Sequence, residues 1–152
     1  MKTKVHALAG LMSFLCIAGF WGSTLVSELF LGHPAVAAVK EGIVQALVLF
    51  VPLMIATAGT GFVLGRTGTH PRIIAKRRRM PFIALNGLLV MIPSALFLNG
   101  KAGAGAFDHW FYGVQLLELL AGAANLFLMG LNIHDGMRVS GRLASRPDDS
   151  EA

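Results

Sequence analysis

Four long stretches of the chain are almost free of charged residues. Residues 5–27, 42–65 and 80–100 contain no Asp, Glu, Lys or Arg, and residues 110–133 contain one, Glu118. A helix of about 20 apolar residues crosses the ~30 Å hydrocarbon core of a bilayer, and each stretch reaches that length. None of them alternates polar and apolar positions as a half-buried strand would. The pattern predicts an all-α integral membrane protein, with helices near 6–31, 42–65, 81–99 and 110–133.

Prolines are placed consistently with this assignment. Pro34 follows the first predicted helix, and Pro81 stands where the third should begin, a position that needs no amide donor. Pro52 and Pro93 fall inside the second and third helices, where we expect kinks. We interpret residues 1–144 as one up-down four-helix domain and residues 145–152 as a disordered cytoplasmic tail.

The first apolar run needs a separate check, because two lysines precede it as in a secretory signal peptide. A cleavable signal has an apolar core of only about 7–15 residues. The run in this chain continues through Val26. We therefore expect it to be retained as the first membrane helix.

Composition narrows the class of protein further. The chain has 152 residues, of which 55% are hydrophobic and 14% are charged. Soluble domains have about 45–50% apolar and about 25% charged residues, so this chain has too little charge to cover a soluble surface. Disordered chains are poor in apolar residues and rich in charge. The single cysteine, Cys16, excludes an internal disulfide and a cysteine-rich zinc site.

The basic residues predict the orientation. Of the 13 Lys and Arg residues, 11 lie before the first predicted helix, in the middle connection or after the fourth helix, and the other two are Lys40 and Lys101. Since basic loops stay cytoplasmic, we expect a bacterial inner-membrane protein with both termini in the cytoplasm. We interpret the middle connection as a topogenic basic loop, which can also contact anionic headgroups: Arg72, Lys76, Arg77, Arg78 and Arg79. It lacks the stacking aromatics that single-stranded nucleic acid binding needs.

Polar residues at hydrocarbon depth are the best candidates for function. A charged side chain at a helix centre costs about 2.5–3.5 kcal/mol, so Glu118 is either protonated or surrounded by polar partners. Steps of three and four residues along the fourth helix share one face, and this face is rich in polar residues: Phe111, Gln115, Glu118, Gly122, Asn125, Met129 and Asn132. The opposite face is apolar. The sequence predicts a polar stripe that faces the interior of the bundle. The alternative is that the amide side chains of this stripe serve only to link helices by hydrogen bonds.

We expect an intramembrane polar site around this stripe. Its predicted members are Glu118, Gln115 and Asn125 from helix four, with Glu28 and Gln45 from the outer ends of helices one and two. For Glu28 the alternative is a carboxylate that extends to the aqueous interface.

Four histidines raise the possibility of haem b. His6 and His134 fall at one predicted membrane level, and His33 and His109 at the other. Helices one and four are expected neighbours in an up-down bundle, so each pair is a possible set of axial ligands. The two levels are ~38 Å apart along a helix, which puts both pairs in the headgroup region and argues against haem. Glu28 and Asp108 together with His33 and His109 are an alternative metal-ligand set, although their spacing matches no known pattern.

Two segments carry a family resemblance. Residues 76–87 read KRRRMPFIALNG, and residues 107–118 read FDHWFYGVQLLE, followed by NIHDG at 132–136. In these segments the chain resembles a family of small uncharacterised four-helix proteobacterial inner-membrane proteins. The resemblance covers about the last two-thirds of the chain and implies no activity.

Three functions remain open from the sequence. The first is an accessory or binding protein with a polar intramembrane site on helix four. The second is an electron-transfer membrane subunit linked to haem b or quinone, and the third is a proton-coupled small-molecule transporter acting as a dimer. We find no nucleophile–base pair and no phosphate loop, so catalysis is not expected. The expected partners are the lipid bilayer and either a second copy or other membrane subunits.

Overall fold

The computed structural model describes residues 2–65 and 71–139, and the side chains of residues 5–61 and 71–139. The helices in these ranges are α1 (Lys2–Phe30), α2 (His33–Gly65), α3 (Pro71–Gly103) and α4 (His109–Val139). The described residues contain no strand. All four helices are long and apolar enough to cross a membrane. The prediction of an all-helical chain with four long apolar helices is therefore confirmed, while the predicted tail 145–152 lies outside the described residues.

The helices form an up-down bundle. Helix α1 packs on α2, α2 on α3, α3 on α4, and α4 closes the ring against α1. Helices α2 and α4 therefore lie diagonally opposite each other. We call the end that contains residues 31–32 and 104–108 the hairpin end, and the opposite end the terminal end.

Helix α2 begins earlier than the sequence predicted. It starts at His33 rather than near 42, and only Leu31 and Gly32 separate it from α1. Pro34 lies in its first turn, where the missing amide has no intrahelical partner to lose. This correction matters for the site, because it places Lys40 inside the bundle instead of in a connection.

Helix α3 also differs from the prediction near both ends. It begins at Pro71 rather than 81 and ends at Gly103 rather than 99, so Pro81 lies within it. The basic residues from Arg72 to Arg79 are thus helical and do not form a loop. Residues Gly87–Met91 make a π-helical turn, in which the amide of Ile92 donates to the carbonyl of Gly87. Proline is a common cause of helix distortion, and Pro93 lies two residues after the end of this turn.

The bundle is apolar outside and partly polar inside. Large apolar side chains such as Phe30, Leu49 and Phe127 are mostly exposed. Several polar side chains are buried: Ser13, Thr24, Ser27, Lys40, Ser94, Gln115, Asn125 and Asn132. Exposed apolar surface on this scale is unusual for a water-soluble monomer. The distribution is compatible with a membrane protein.

Apolar residues close the bundle at the hairpin end. Val36, Leu98, Ala102 and Phe111 form a buried cluster there. The ring of His33 stacks on Phe107 with centroids 4.0 Å apart. The loop between α3 and α4 turns at Gly105, whose φ of 67° favours glycine. These contacts pack the first turns of α2 and α4 against the end of α3.

Candidate intramembrane site

The polar stripe of α4 faces the interior, as predicted. Its members Phe111, Gln115, Gly122, Asn125, Met129 and Asn132 are buried, and the side chain of Glu118 is 12% exposed. The predicted opposite face is exposed at Leu116, Leu120, Ala123 and Phe127. The 3.6-residue period of the polar positions thus gave the orientation of this helix correctly.

A buried ion pair joins this stripe to α2. The Nζ of Lys40 donates a hydrogen bond to Oε2 of Glu118 over 2.6 Å and to the hydroxyl of Thr24 over 3.4 Å. The Lys40 side chain is 0% exposed. Lys40 was expected in a connection between helices, but it lies inside α2 and is buried. A signal was present, since Val36, Lys40 and Ile43 share the buried face of α2.

Two further side chains complete the cluster. The amide nitrogen of Gln115 donates to Oε2 of Glu118 over 3.2 Å. Its own Oε1 and Oε1 of Glu28 are buried and accept no hydrogen bond from the described residues. The charges that act on Glu28 are those of Lys40, His33 and Glu118. Lys40 is paired with Glu118, and Glu28 lies within electrostatic reach of both. These three groups have a formal charge of −1 when both carboxyls are ionised.

An internal cavity of about 220 Å³ adjoins the ion pair, and we call it the central cavity. Thr24 and Glu118 form part of its wall, and the rest is mainly apolar, including Phe50 and Met91. Exposed Ile55 and Leu88 also line it. The cavity therefore reaches the bundle surface between α2 and α3.

Trp21 shapes the same cavity from α1. Its indole nitrogen donates to the carbonyl of Leu119 over 2.9 Å. A Cβ atom at Gly122 would lie 2.9 Å from Cδ1 of Trp21. Glycine at position 122 therefore provides the space that the indole ring occupies.

Asn125 belongs to a different polar contact from the one predicted. Its Oδ1 accepts a hydrogen bond from Nδ2 of Asn86 over 3.0 Å, and Asn86 also donates to the carbonyl of Ala121 over 2.9 Å. Asn125 lies seven residues beyond Glu118, about two helical turns. It lines the central cavity, but its hydrogen bonds link α3 with α4.

Gln45 is not part of the site. It is exposed on α2, and its amide donates to Oε1 of Glu41 over 3.2 Å. Its position at i+4 from Glu41 places both side chains on one outward face. Gln45 therefore lies away from the Lys40–Glu118 pair, although it was predicted to share a site with Glu118.

The basic residues of α3 lie at the terminal end. Asp135 of α4 pairs with Arg79 over 2.7 Å and with Arg72 over 3.3 Å. Arg77 and Arg78 are exposed. Lys76, the remaining member of the predicted basic loop, lines a second cavity that is described below.

In the described part of the chain, no histidine contacts another histidine. Nδ1 of His6 lies 3.1 Å from the hydroxyl of Thr60. The His33 ring stacks on Phe107, the His109 ring lies beside Trp110, and His134 lies 3.9 Å from Asp135. Within residues 2–65 and 71–139 no cluster of three His, Cys, Asp or Glu residues is suited to a metal ion. These contacts provide no support for the haem and metal hypotheses.

Comparisons of the chain with protein-family models, with curated proteins and with solved structures found no match. The function of the protein is therefore inferred from the geometry of its own site.

Proposed function

We propose that this is a multi-pass binding protein of the bacterial inner membrane, which takes up a small and mainly apolar molecule in the central cavity. The observation that carries the proposal is the position of Glu118. Its carboxylate is held by Lys40 over 2.6 Å, and the residue forms part of the cavity wall. A ligand in the cavity thus meets a few fixed polar residues in mainly apolar surroundings, which is the usual composition of a small-molecule site.

The ion pair itself favours a role in binding. Removing two charges from water costs several kcal/mol per ion, so a buried pair is weak evidence for a purely stabilising function. Lys40 and Glu118 come from diagonally opposite helices and meet in the interior. Polar groups at hydrocarbon depth are characteristic of ligand and ion pathways.

The chemistry of the site indicates the class of ligand. A cavity of about 150 Å³ is enough to hold benzene, and the central cavity has about 220 Å³. The cluster has more acceptors than donors, because Oε1 of Gln115 and Oε1 of Glu28 have no donor among the described residues. We therefore infer a ligand with an apolar body and an amine or another hydrogen-bond donor.

Benzylamine is a suitable probe, with toluene as its apolar counterpart. We expect benzylamine to raise the unfolding temperature of the detergent-solubilised protein more than toluene does, and Glu118→Gln to remove this difference. Glu41→Gln is the matched control, since Glu41 is exposed on α2 and bonded to Gln45. The double variant Lys40→Met/Glu118→Leu removes both charges from the interior. It should likewise show no larger rise in unfolding temperature with benzylamine than with toluene. An equal preference in wild type and Glu118→Gln would refute the proposal.

The charge distribution supports the orientation that we propose, with both termini in the cytoplasm. The described basic residues of α3 all lie near the terminal end, except Lys101. Positive charge is retained on the cytoplasmic side of bacterial membrane proteins. The hairpin end, with the loop at residues 104–108, would then face the periplasm.

The extra carboxyl group favours a second candidate, proton-coupled transport. Oε1 of Glu28 accepts no hydrogen bond from the described residues, and Glu28 lies within electrostatic reach of the Lys40–Glu118 pair. A proton and a cationic ligand therefore compete for the same negative charge. We expect a pH gradient to drive benzylamine uptake into proteoliposomes, and Glu28→Gln to abolish the effect of the gradient while benzylamine binding persists. Uptake that is insensitive to the gradient in wild type would exclude this function and leave the binding function in place.

A further inference from the structure

A second cavity, which we call the terminal cavity, lies among all four helices at the terminal end. Its volume is about 370 Å³. Most of its wall is apolar, with Met80 and Ile83 on α3 and Met129 on α4. Ala58 and Ala84 line both this cavity and the central one. Both alanines are exposed, one on α2 and one on α3, so small side chains border an opening between these two helices.

One ammonium group lines the terminal cavity. Lys76 is partly buried, and its Nζ lies against α4, 3.8 Å from where a Cβ of Gly136 would stand. It makes no hydrogen bond or ion pair with a residue in the described part of the chain. Asp135 acts on it electrostatically, but the oxygens of this carboxylate are already bound by Arg72 and Arg79.

The surroundings are strongly positive. Asp135 is the only acidic residue at the terminal end among the described residues. The basic residues there are Lys2 and Lys4 on α1, Arg72, Lys76, Arg77, Arg78 and Arg79 on α3, and Arg138 on α4. An anion bound beside Lys76 would balance part of this charge. The apolar wall next to the ammonium group requires that the same ligand also has a hydrocarbon part.

We propose that the terminal cavity binds an anionic membrane phospholipid, whose phosphate pairs with Lys76 and whose acyl chain enters between α2 and α3. Arg77 and Arg78 are exposed one and two residues further along α3 and lie where the surrounding headgroups are expected. Anionic lipids collect around clustered basic residues at the membrane surface. This site is separate from the Lys40–Glu118 pair, and the proposal does not depend on the function proposed above.

Native mass spectrometry of the full chain in mild detergent tests the proposal. The probes are phosphatidylglycerol, phosphatidylcholine with the same acyl chains, and oleate. We expect one phosphatidylglycerol to stay bound to the wild-type protein, with weaker retention of the other two. Lys76→Gln should reduce the bound-to-free ratio by about ten-fold, the effect of one hydrogen bond to a charged group. Arg77→Gln is the matched control, since it removes the same charge from the exposed neighbouring residue and should have a much smaller effect.

The acyl chain is tested with a second variant. Ala58→Leu leaves every charge in place but narrows the opening, and we expect it to weaken phosphatidylglycerol retention. Equal effects of Lys76→Gln and Arg77→Gln would overturn the proposal, because they would indicate only surface attraction. Equal retention of phosphatidylglycerol and phosphatidylcholine would also overturn it, as would a preference for oleate.

Discussion

The ammonium nitrogen of Lys40 on α2 lies 2.6 Å from the carboxylate of Glu118 on α4, across the diagonal of the four-helix bundle. These helices are not neighbours in the ring, so the ion pair links two segments that otherwise have few direct contacts. Thr24 adds a contact from α1. The three helices meet at one polar point, and the central cavity begins beside it.

Replacing Lys40 with Met is expected to destabilise the bundle by about 3–5 kcal/mol, because it leaves the Glu118 carboxylate buried without its counter-charge. Unfolding in mixed micelles, followed by circular dichroism, measures the change. The double variant Lys40→Met/Glu118→Leu should regain most of the loss, since it removes both charges. If the single variant were as stable as wild type, the pair would not be buried as described.

Gly122→Ala is expected to displace the Trp21 ring. The new Cβ would lie 2.9 Å from Cδ1 of the indole, and overpacking of this kind typically costs about 1–3 kcal/mol. In a Trp110→Phe background, the tryptophan fluorescence reports on Trp21 alone, and we expect its emission to shift. Gly113→Ala on the same helix is the control, because no atom lies within 4 Å of its added Cβ. An unchanged spectrum in Gly122→Ala would contradict the packing described.

The Asn86–Asn125 contact is expected to contribute little stability. Hydrogen bonds between membrane helices average about 0.6 kcal/mol in double-mutant cycles. A cycle of Asn86→Leu and Asn125→Leu should give a coupling energy of that order, as measured by unfolding in micelles. A coupling energy as large as that of the Lys40–Glu118 pair would contradict this expectation, because the two contacts would then stabilise the interior equally.

The connection at the hairpin end is expected to respond to acid. Asp108 accepts hydrogen bonds from Lys101 and from the amide of Phe111, and these bonds lower the pKa of its carboxyl group below the usual 3.8. A carboxylate with a lowered pKa stabilises the fold at pH values above its unfolded pKa, and this contribution is lost as the pH falls through the folded value. The unfolding temperature of the wild type should therefore fall toward that of Asp108→Asn when the pH is lowered below about 4.

Lys101→Met provides the control for this effect. It removes the largest cause of the lowered pKa of Asp108 but leaves the hydrogen bond from Phe111. The difference in unfolding temperature between Lys101→Met and Lys101→Met/Asp108→Asn should depend less on pH than the corresponding wild-type difference. If the two differences in unfolding temperature depended equally on pH, Lys101 would not stabilise the carboxylate of Asp108.

The periodicity of the sequence was sufficient to predict the four long apolar helices and the face of α4 that is buried. Steps of three and four from Glu118 identified the buried face, because a helix in lipid turns its polar residues inward. The ends of the helices were less predictable. Lys40 was assigned to a connection because of its charge, and the basic residues of α3 were assigned to one because Pro81 was interpreted as the start of the third helix, whereas α3 continues through Pro81.

The composition of the site depended on tertiary contacts that the sequence does not specify. Gln45 and Gln115 are the same residue type near the same end of the bundle, but Gln45 faces outward beside Glu41 and Gln115 faces Glu118. Lys40 was identifiable only from its register with Val36 and Ile43, once α2 was known to begin at His33. The partner of Asn125 lies on another helix, at Asn86, and periodicity within one helix contains no information about it.

The orientation of the bundle is the last prediction. At the hairpin end Lys40 and Lys101 are both paired with carboxylates, so this end has little free positive charge to oppose translocation, and we expect it in the periplasm. Cys16 is the only native cysteine. In a Cys16→Ser background, a membrane-impermeant thiol reagent should label Gly105→Cys in intact cells and Arg142→Cys only after permeabilisation. The opposite labelling pattern would show that the charge bias has been misread, and labelling of both positions in intact cells would show that α4 does not cross the membrane.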